Sequence, residues 1–493
     1  MLFNSVAFLI FFPLVTALFF ALPHRFRWFL LLTASCWFYM FFKPVYILIL
    51  GFTIVVDYYA GLLIEGSSGR RRKLWLVTSL AANVGVLATF KYWNFLAGNV
   101  NGLAEVLRWN YSVPLLEILL PIGLSFHTFQ AMSYTIEVYR GGQKAERHFG
   151  IYSLYVMFYP QLVAGPIERP QNLLHQFHEE KFFDADRVFS GLGRMLWGMF
   201  KKVVIADRVA LLVNQVYNNP EAYAAHPGLA YAWATFFFAI QIYCDFSGYS
   251  DIAIGSARVM GFKLMENFDR PYLSQSIGEF WRRWHISLST WFKDYVYVPL
   301  GGSRSGKARW CRNLAIVFLL SGLWHGASWN FVIWGALHGF YLVFGILTRD
   351  LRERFVGATG LDRVPLLLPI VRTVVTFGLV TFAWIFFRAA STAEAFLIVE
   401  RTFSGMWYVA TNVGEAAREN RLGLPPWWSI DLLYALFLSG LLLLVHRLQG
   451  SRTITEALSS QPAWARWGSY YAMLLMIAAL GVYGEQSFIY FQF

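Results

Sequence analysis

The segment Ser321-Gly-Leu-Trp-His325-Gly-Ala-Ser-Trp-Asn330 lies inside a long apolar region between about residues 313 and 347. The apolar residues on either side predict a pair of membrane helices, with a single histidine, His325, between tryptophans and small residues. An ionisable group inside a membrane is costly and is therefore a candidate functional residue. With an unperturbed pKa of about 6.5, an imidazole can take a proton from a hydroxyl group at neutral pH. The segment therefore predicts chemistry inside a membrane.

The composition of the 493-residue chain is that of a membrane protein. Hydrophobic residues make up 57% of it and charged residues only 14%, whereas soluble proteins carry about 25% charged residues. Recurring apolar runs predict an all-α integral membrane protein with ten to twelve membrane segments, several of them shorter than the ~20 residues of a crossing helix. The short elements at 150–164 and 251–262 predict re-entrant helices, because broken helices at membrane depth lie inside protein or beside a water-filled cavity.

Basic residues follow alternate apolar runs and predict the topology. Arg25 and Arg27 follow the first run, residues 70–73 the third, and Lys144 and Arg147 the run that ends near residue 136. The positive-inside rule places these loops in the cytoplasm and the N-terminus outside. The net charge of +12 then reflects topology and anionic lipids, with no call for nucleic acid. The first run lacks a basic n-region and a small-residue cleavage site, so we expect a retained helix.

The organisation of the chain predicts one domain over residues 1–493, because no linker separates two hydrophobic blocks and no internal repeat is present. The three cysteines, Cys36, Cys244 and Cys311, are scattered. They predict neither a disulfide framework nor a zinc site. The ten histidines include no HExxH sequence, so no metal is expected.

A basic segment between residues 258 and 312 carries ten Lys or Arg and four acidic residues, interleaved with aromatic residues. Its charge predicts a cytoplasmic location. Apolar residues recur at helical spacing between residues 277 and 295, with polar residues on the other side. This pattern predicts one amphipathic helix that lies at the membrane interface.

Two further histidines receive different interpretations. His285 lies at the edge of the apolar stripe of this amphipathic helix, where it can face the protein interior. Alternatively it only hydrogen-bonds a backbone carbonyl, and the spacing does not distinguish these two possibilities. His338 lies about 140° from His325 around a continuous helix with 3.6 residues per turn. We therefore expect His338 to face elsewhere and to serve packing.

Other polar residues are candidates for the surroundings of a site. Asp245 and Asp251 flank Gly248 in an apolar region, where they can line a tunnel or can cap and break helices. Ser328 and Asn330 can polarise the surroundings of His325 or can hydrogen-bond the neighbouring backbone. The sequence leaves both alternatives open for each pair.

Two motifs carry a resemblance to a known family. The run Phe280-Trp-Arg-Arg-Trp-His285-Ile-Ser-Leu-Ser289, followed forty residues later by Leu323-Trp-His325-Gly, resembles the membrane-bound O-acyltransferase superfamily, and within it the bacterial alginate O-acetylase type. The resemblance spans nearly the whole chain and is densest between residues 120 and 340. Four other stretches agree with it: residues 161–170, 245–251, 261–272 and the terminal Tyr490-Phe-Gln-Phe493.

The resemblance implies a ring of tilted and re-entrant helices around a central tunnel, in the bacterial inner membrane. His325 matches the catalytic histidine of the superfamily, and His285 matches its second histidine. We expect an acetyl group to pass from a cytoplasmic thioester, acetyl-CoA, to hydroxyls of an extracytoplasmic polysaccharide. His325 would act as general base or as nucleophile, and His285 would donate to, or orient, the thioester carbonyl.

Further residues are assigned to the substrates on the same basis. Arg282, Arg283 and Lys293 can attract the phosphates of the donor as simple charges, or form an ordinary positive-inside face. No bound cofactor is expected, since acetyl-CoA is a substrate. The candidate substrate-binding residues are Trp281, Trp284, Trp324, Asp245, Ser328 and Asn330.

The resemblance also implies partners and leaves alternatives. We expect a periplasmic acetyltransferase or carrier protein as partner, and an alginate-like exopolysaccharide as acceptor. Peptidoglycan O-acetylation and D-alanyl transfer are alternatives on the same fold. A transporter or flippase would also contain broken helices and a buried histidine, but should show repeated halves. A scaffold of a polysaccharide secretion complex would tolerate the loss of both histidines.

Overall fold

The fold is all-helical. The computed structural model describes residues 1–117, 121–219, 229–304, 306–418, 428–450, 452–483 and 488–489. Within these ranges every regular element is a helix, which confirms the predicted all-α class. The terminal motif at residues 490–493 lies outside the described residues.

The helices are numbered in chain order. The first eleven are α1 Val6–Ala21, α2 His24–Met40, α3 Tyr46–Glu65, α4 Gly69–Leu87, α5 Trp93–Val106, α6 Leu124–Arg140, α7 Phe149–Met157, α8 Pro170–Leu173, α9 Ala185–Met199, α10 Asp207–Tyr217 and α11 Leu229–Val259. The others are α12 Ile277–Arg283, α13 Ile286–Phe292, α14 Lys307–His325, α15 Trp329–Leu347, α16 Arg349–Thr359, α17 Leu367–Arg388, α18 Thr392–Thr411, α19 Val413–Arg418, α20 Trp428–Gln449, α21 Ile454–Ser459 and α22 Ala463–Leu480. π-helical turns occupy Ala88–Tyr92, Phe200–Ala206 and Lys293–Tyr297.

The chain divides into two compact units. Within the described residues, unit 1 consists of Met1–Gly198 and Tyr249–Glu266, and unit 2 of Met199–Gly248 and Asn267–Ile489. His285 and His325 both belong to unit 2. One domain over residues 1–493 stays a prediction.

Six helices of the described residues are long and apolar enough to cross a membrane. They are Tyr46–Glu65, Gly69–Val106, Leu229–Val259, Trp329–Leu347, Leu367–Arg388 and Asp431–Gln449. The larger number of segments predicted from the sequence includes apolar runs that form shorter helices. α1 and α2, for example, have 16 and 17 residues, fewer than the ~20 of a typical crossing helix.

The two short elements predicted in the sequence have different outcomes. The first contains α7, a buried helix of nine residues that is followed by turns. The second prediction, a re-entrant element at 251–262, is wrong, because α11 continues to Val259 over 31 residues. Its polar residues do not break the helix because they find charged partners: Asp251 pairs with Arg194 at 2.8 Å within unit 1.

The prediction of a single amphipathic helix over residues 277–295 is also wrong. α12 ends at Arg283 and α13 begins at Ile286, so two helices of seven residues take its place. The break falls at His285, whose φ of +43° puts it in the left-handed region. Non-glycine residues rarely adopt that conformation. Hydrophobic periodicity did not reveal this break because apolar residues continue at helical spacing on both sides of it.

Candidate active site

His325 is held at the turn of a tight helix pair in unit 2. It is the last residue of α14, and α15 begins four residues later at Trp329, so the predicted pair of helices is present. The two helices come into close contact through Gly322 and Gly335. A Cβ atom on Gly322 would collide with the carbonyl oxygen of Phe331, and one on Gly335 with that of Phe318. Glycine at both positions is therefore needed for the approach that positions His325.

Aromatic rings surround His325, which is only 5% exposed. Its ring lies edge-on to Trp324 and to Trp334, with 4.9 Å between ring centroids in both cases. Phe387 from α17 contacts it at 5.4 Å. Rings on several sides limit the access of water to the imidazole. Exclusion of water from a site of this kind suppresses hydrolysis as a side reaction.

His285 is fully buried at the break between α12 and α13. Its Nδ1 lies 3.1 Å from Oδ1 of Asn267, and its ring lies edge-on to Phe246 at 4.7 Å. This partner of His285 is a side-chain amide, whereas the simpler interpretation required a backbone carbonyl. Burial lowers the pKa of His285 to about 3, because the charged imidazolium is poorly solvated. His285 is therefore neutral at physiological pH.

Trp324 brings the two histidines into one site. Its ring centroid lies 6.0 Å from that of His285 and 4.9 Å from that of His325. The two histidine motifs, forty residues apart in the chain, thus converge on one aromatic side chain. Two imidazoles that approach the same ring can act on one pair of bound reactants, and holding reactants close together in this way accelerates their reaction.

The other two predicted tryptophans form the wall next to this site. Trp281 donates a hydrogen bond from its indole nitrogen to Nδ1 of His338, at 3.3 Å. Trp284 is fully buried and lies 5.1 Å from Trp384 of α17. Trp334 contacts His338 at the same centroid distance, 4.9 Å, at which it contacts His325.

These contacts of His338 agree with its predicted packing role. The prediction that His338 faces away from His325 assumed one continuous helix, and that assumption is wrong because residues 326–328 are not helical. His338, Trp334, Phe387 and Asn267 were missed by sequence reasoning as members of the site. Asn267 lay within the stretch 261–272 that carried the family resemblance, which was the one available signal for it.

Asp245 and Asn330 bind other residues of the protein, and Ser328 lies next to the start of α15. Asp245 forms an ion pair with Lys202 at 2.7 Å and accepts a hydrogen bond from the backbone N–H of Ile489 at 2.7 Å. It lies inside α11 and neither caps nor breaks it. Asn330 donates to the carbonyl oxygen of Ala389 at 2.9 Å, and Ser328 is the residue that precedes α15. Substrate binding by these three residues stays a prediction.

The basic residues of α12 and of the π-helical turn after α13 differ in their surroundings. Arg282 and Lys293 are exposed, whereas Arg283 pairs with Glu279 at 2.7 Å. Arg282 and Lys293 are thus better placed than Arg283 to attract the phosphates of the donor. This role stays a prediction for all three basic residues. No group of three or more His, Cys, Asp or Glu side chains that could hold a metal ion occurs among the described residues.

The site lies within a region that matches a known family. The model of the membrane-bound O-acyltransferase family matches residues 146–387, which include both histidines. The chain is 40% identical over 433 residues to the probable alginate O-acetylase of Pseudomonas aeruginosa, a match that covers 86% of this chain and 78% of that protein.

Two other relatives have different names. The peptidoglycan O-acetyltransferase of Helicobacter pylori is 35% identical over 399 residues, 75% of this chain and 72% of that protein. The teichoic acid D-alanyltransferase of Bacillus subtilis is 28% identical over 238 residues, 44% of this chain and 56% of that protein. All three names describe acyl transfer, which favours an enzyme over a transporter or a scaffold. The resemblance predicted from the two histidine motifs is confirmed, and this chain, a multi-pass membrane O-acyltransferase, belongs to the membrane-bound O-acyltransferase family.

Proposed function

We propose that the protein transfers acetyl groups from cytoplasmic acetyl-CoA to hydroxyls of an alginate-like exopolysaccharide on the outer side of the bacterial inner membrane. The observation that carries this proposal is the 40% identity to an alginate O-acetylase over most of both chains, combined with the convergence of His285 and His325 on Trp324. Peptidoglycan is the second candidate acceptor, favoured by the 35% identity to a peptidoglycan O-acetyltransferase.

The proposed chemistry is centred on His325. In the direct route, His325 takes the proton of the acceptor hydroxyl, whose oxygen attacks the thioester carbonyl carbon. The carbon–sulfur bond breaks, and the proton passes to the departing thiolate to give free CoA. In the covalent route, a nitrogen of His325 attacks the thioester carbonyl carbon, the carbon–sulfur bond breaks and CoA leaves as the thiolate. The acceptor hydroxyl oxygen then takes the acetyl group from His325, and its proton ends on the CoA thiol. Both routes use the exclusion of water that the aromatic surroundings of His325 support.

The proposed direction of transfer rests on the basic segments. The loops that contain Arg25, Arg27 and residues 70–73 lie in the cytoplasm under the positive-inside rule, which leaves the N-terminus outside. Exposed Arg282 and Lys293 attract the phosphates of acetyl-CoA to the cytoplasmic mouth of the site. On the opposite side, the acetyl group reaches the polymer directly or through a periplasmic acetyltransferase or carrier protein.

The test uses the protein in lipid nanodiscs, where both faces are accessible, with acetyl-CoA labelled on the acetyl carbon. Thioester consumption and capture of the label by alginate oligosaccharides are measured for the wild type, His325→Ala and His285→Ala. We expect the wild type to consume the donor and His325→Ala to be slower by a factor of about 100 or more. His175→Ala is the matched control, because its side chain is 57% exposed and belongs to unit 1.

Each outcome has a defined meaning. Label that remains on the wild-type protein and disappears in His325→Ala supports the covalent route, whereas its absence from the protein during turnover supports the direct route. Capture by peptidoglycan fragments in preference to alginate oligosaccharides selects the second acceptor. A folded His325→Ala variant as active as the wild type, or a wild type that does not consume acetyl-CoA, overturns the proposal.

A further inference from the structure

We infer that Asn267 is a positioning residue that fixes His285 in the tautomer with the proton on Nδ1, so that Nε2 accepts and does not donate hydrogen bonds. The inference deepens the proposed function, and its chemical consequences rest on that proposal. The tautomer itself follows from the hydrogen bonds around Asn267. It revises the role in which His285 donates to the thioester carbonyl.

The first step identifies which atom of the Asn267 amide faces His285. Oδ1 of Asn267 lies 3.3 Å from the backbone nitrogen of Ser287 and 2.9 Å from the Ser287 hydroxyl. A backbone N–H group can only donate a hydrogen bond. The atom that faces it must therefore be the amide oxygen, because an NH₂ group in that place would set two donors against each other.

The second step assigns the proton on His285. The same Oδ1 lies 3.1 Å from Nδ1 of His285. An amide oxygen accepts hydrogen bonds and has no proton to donate. Nδ1 must therefore carry the proton, and in the neutral imidazole the lone pair is then on Nε2. The neutral form is the relevant one because His285 is fully buried.

The third step shows that Asn267 is itself held in place. Its carbonyl oxygen accepts a hydrogen bond from the backbone N–H of Ile286 at 2.9 Å, and two residues later the N–H of Asp269 donates to the carbonyl of Arg283 at 2.9 Å. These bonds join the segment after Glu266 to both sides of the helix break. These backbone hydrogen bonds thus also stabilise the left-handed conformation of His285, which a non-glycine residue rarely adopts.

The tautomer determines whether Nε2 of His285 accepts or donates a hydrogen bond. With the lone pair on Nε2, His285 can accept a hydrogen bond from the acceptor hydroxyl or from the thiol of CoA. It cannot donate to the thioester oxygen unless it first becomes an imidazolium. In the transfer, the proton that leaves the hydroxyl oxygen ends on the thiol sulfur, and Nε2 of His285 can orient either of these two groups. Stabilisation of the developing negative charge on the carbonyl oxygen must then come from other donors.

The direct test is ¹⁵N NMR of the protein in nanodiscs with ¹⁵N-labelled histidine, with the His285 signals identified by their loss in His285→Gln. We expect wild-type His285 to show a protonated Nδ1 and an unprotonated Nε2. Asn267→Asp, which keeps an acceptor oxygen, should preserve this pattern, and Asn267→Ala should give a mixture of tautomers. Protonation of Nε2 in the wild type would overturn the inference, even if Asn267→Ala does not fold.

A kinetic test separates positioning from a general loss of structure. Asn267→Ala should lower kcat by at least about tenfold with a smaller change in KM, and Asn267→Asp should restore most of it. The control is Asn313→Ala, since Asn313 is equally buried but hydrogen-bonds the carbonyls of Leu300 and Gly302. Asn313→Ala should leave the His285 tautomer unchanged, whereas an equal disturbance of the tautomer by both variants contradicts a specific role for Asn267. If the proposed function is wrong but the inference is right, the wild type will show no turnover of acetyl-CoA while His285 still has the expected tautomer.

Discussion

The indole nitrogen of Trp281 donates a hydrogen bond to Nδ1 of His338, and 3.3 Å separates the two nitrogens. His338 therefore has its lone pair on Nδ1, the opposite of the arrangement inferred for His285. Trp334 lies edge-on to both His338 and His325, so the pair of Trp281 and His338 supports the wall of the candidate active site. This pair joins α12, which precedes His285, to α15, which follows His325.

Replacement of His338 by leucine should destabilise the protein. His338→Leu removes the acceptor and leaves the buried indole N–H of Trp281 without it, which costs about 1–3 kcal/mol. In a double-mutant cycle with Trp281→Phe, the double variant should lose less stability than the sum of the two single variants. Thermal unfolding in detergent measures each variant. Additive losses would show that the hydrogen bond contributes no coupling energy.

The glycines at the crossing of α14 and α15 should be intolerant of a methyl group. Gly322→Ala would push a Cβ atom against the carbonyl of Phe331, so the helices must separate and His325 must move. Stability should fall by about 1–3 kcal/mol, as for overpacking in a core, and acetyl transfer should fall with it. Gly345→Ala is the control, because its Cβ would meet only the end of the flexible Arg352 side chain, at 3.9 Å. Equal effects of the two substitutions would contradict this account.

The buried charges around Lys202 should govern stability more than substrate affinity. Lys202 lies 2.8 Å from Asp207 and 2.7 Å from Asp245, and all three side chains are buried. Lys202→Met leaves two buried carboxylates without their cation and should cost about 3–5 kcal/mol. Asp245→Asn can still accept the N–H of Ile489 and should cost less.

Unfolding midpoints, together with KM for the acceptor, decide whether Asp245 acts on the fold or on the substrate. A raised KM in Asp245→Asn with an unchanged unfolding midpoint would favour the substrate-binding role predicted from the sequence. A lowered midpoint with an unchanged KM agrees with the ion pair seen in unit 2.

The part of the site that could be predicted is the part encoded by neighbouring residues. The sequence around His325 contains small residues and apolar flanks in one contiguous stretch, so the helix pair and the buried histidine follow from local pattern. The same holds for the aromatic residues around His285, which predict a buried surface. The family resemblance rested chiefly on these two local motifs, with four other stretches in agreement, and the match to the family model confirmed it.

What could not be predicted depends on contacts between residues far apart in the chain. The break at His285 depends on Asn267, eighteen residues earlier, which bonds the backbone on the far side of the break. The continuity of α11 depends on Arg194 and Lys202, which pair with its aspartates. Hydrophobic periodicity describes the residues of one helix at a time. It therefore cannot show that a side-chain amide from a distant segment holds a helix break in place. Nor can it show that a distant cation stabilises acidic residues inside a helix.

Glu168 in unit 1 should make stability depend on pH. It is fully buried, and its Oε1 accepts a hydrogen bond from the backbone N–H of Met265 at 2.5 Å. Burial raises the pKa of Glu168 to about 7 from its usual 4.5, because the ionised form is poorly solvated. Its contribution to stability is therefore present in full below about pH 4.5 and is lost as the pH rises through about 7.

Glu168→Gln should reveal this contribution, because glutamine keeps an acceptor oxygen for Met265 and stays neutral at every pH. The unfolding midpoint of the variant relative to the wild type should rise between pH 5 and pH 8. One pKa unit corresponds to about 1.4 kcal/mol, so the shift of the Glu168 pKa changes the free energy of unfolding by about 3 kcal/mol between low and high pH. Glu353→Gln is the control, because Glu353 is exposed beside Arg349 and should give almost no such rise. A difference for Glu168→Gln that is the same at both pH values would show that Glu168 titrates alike in the folded and unfolded protein.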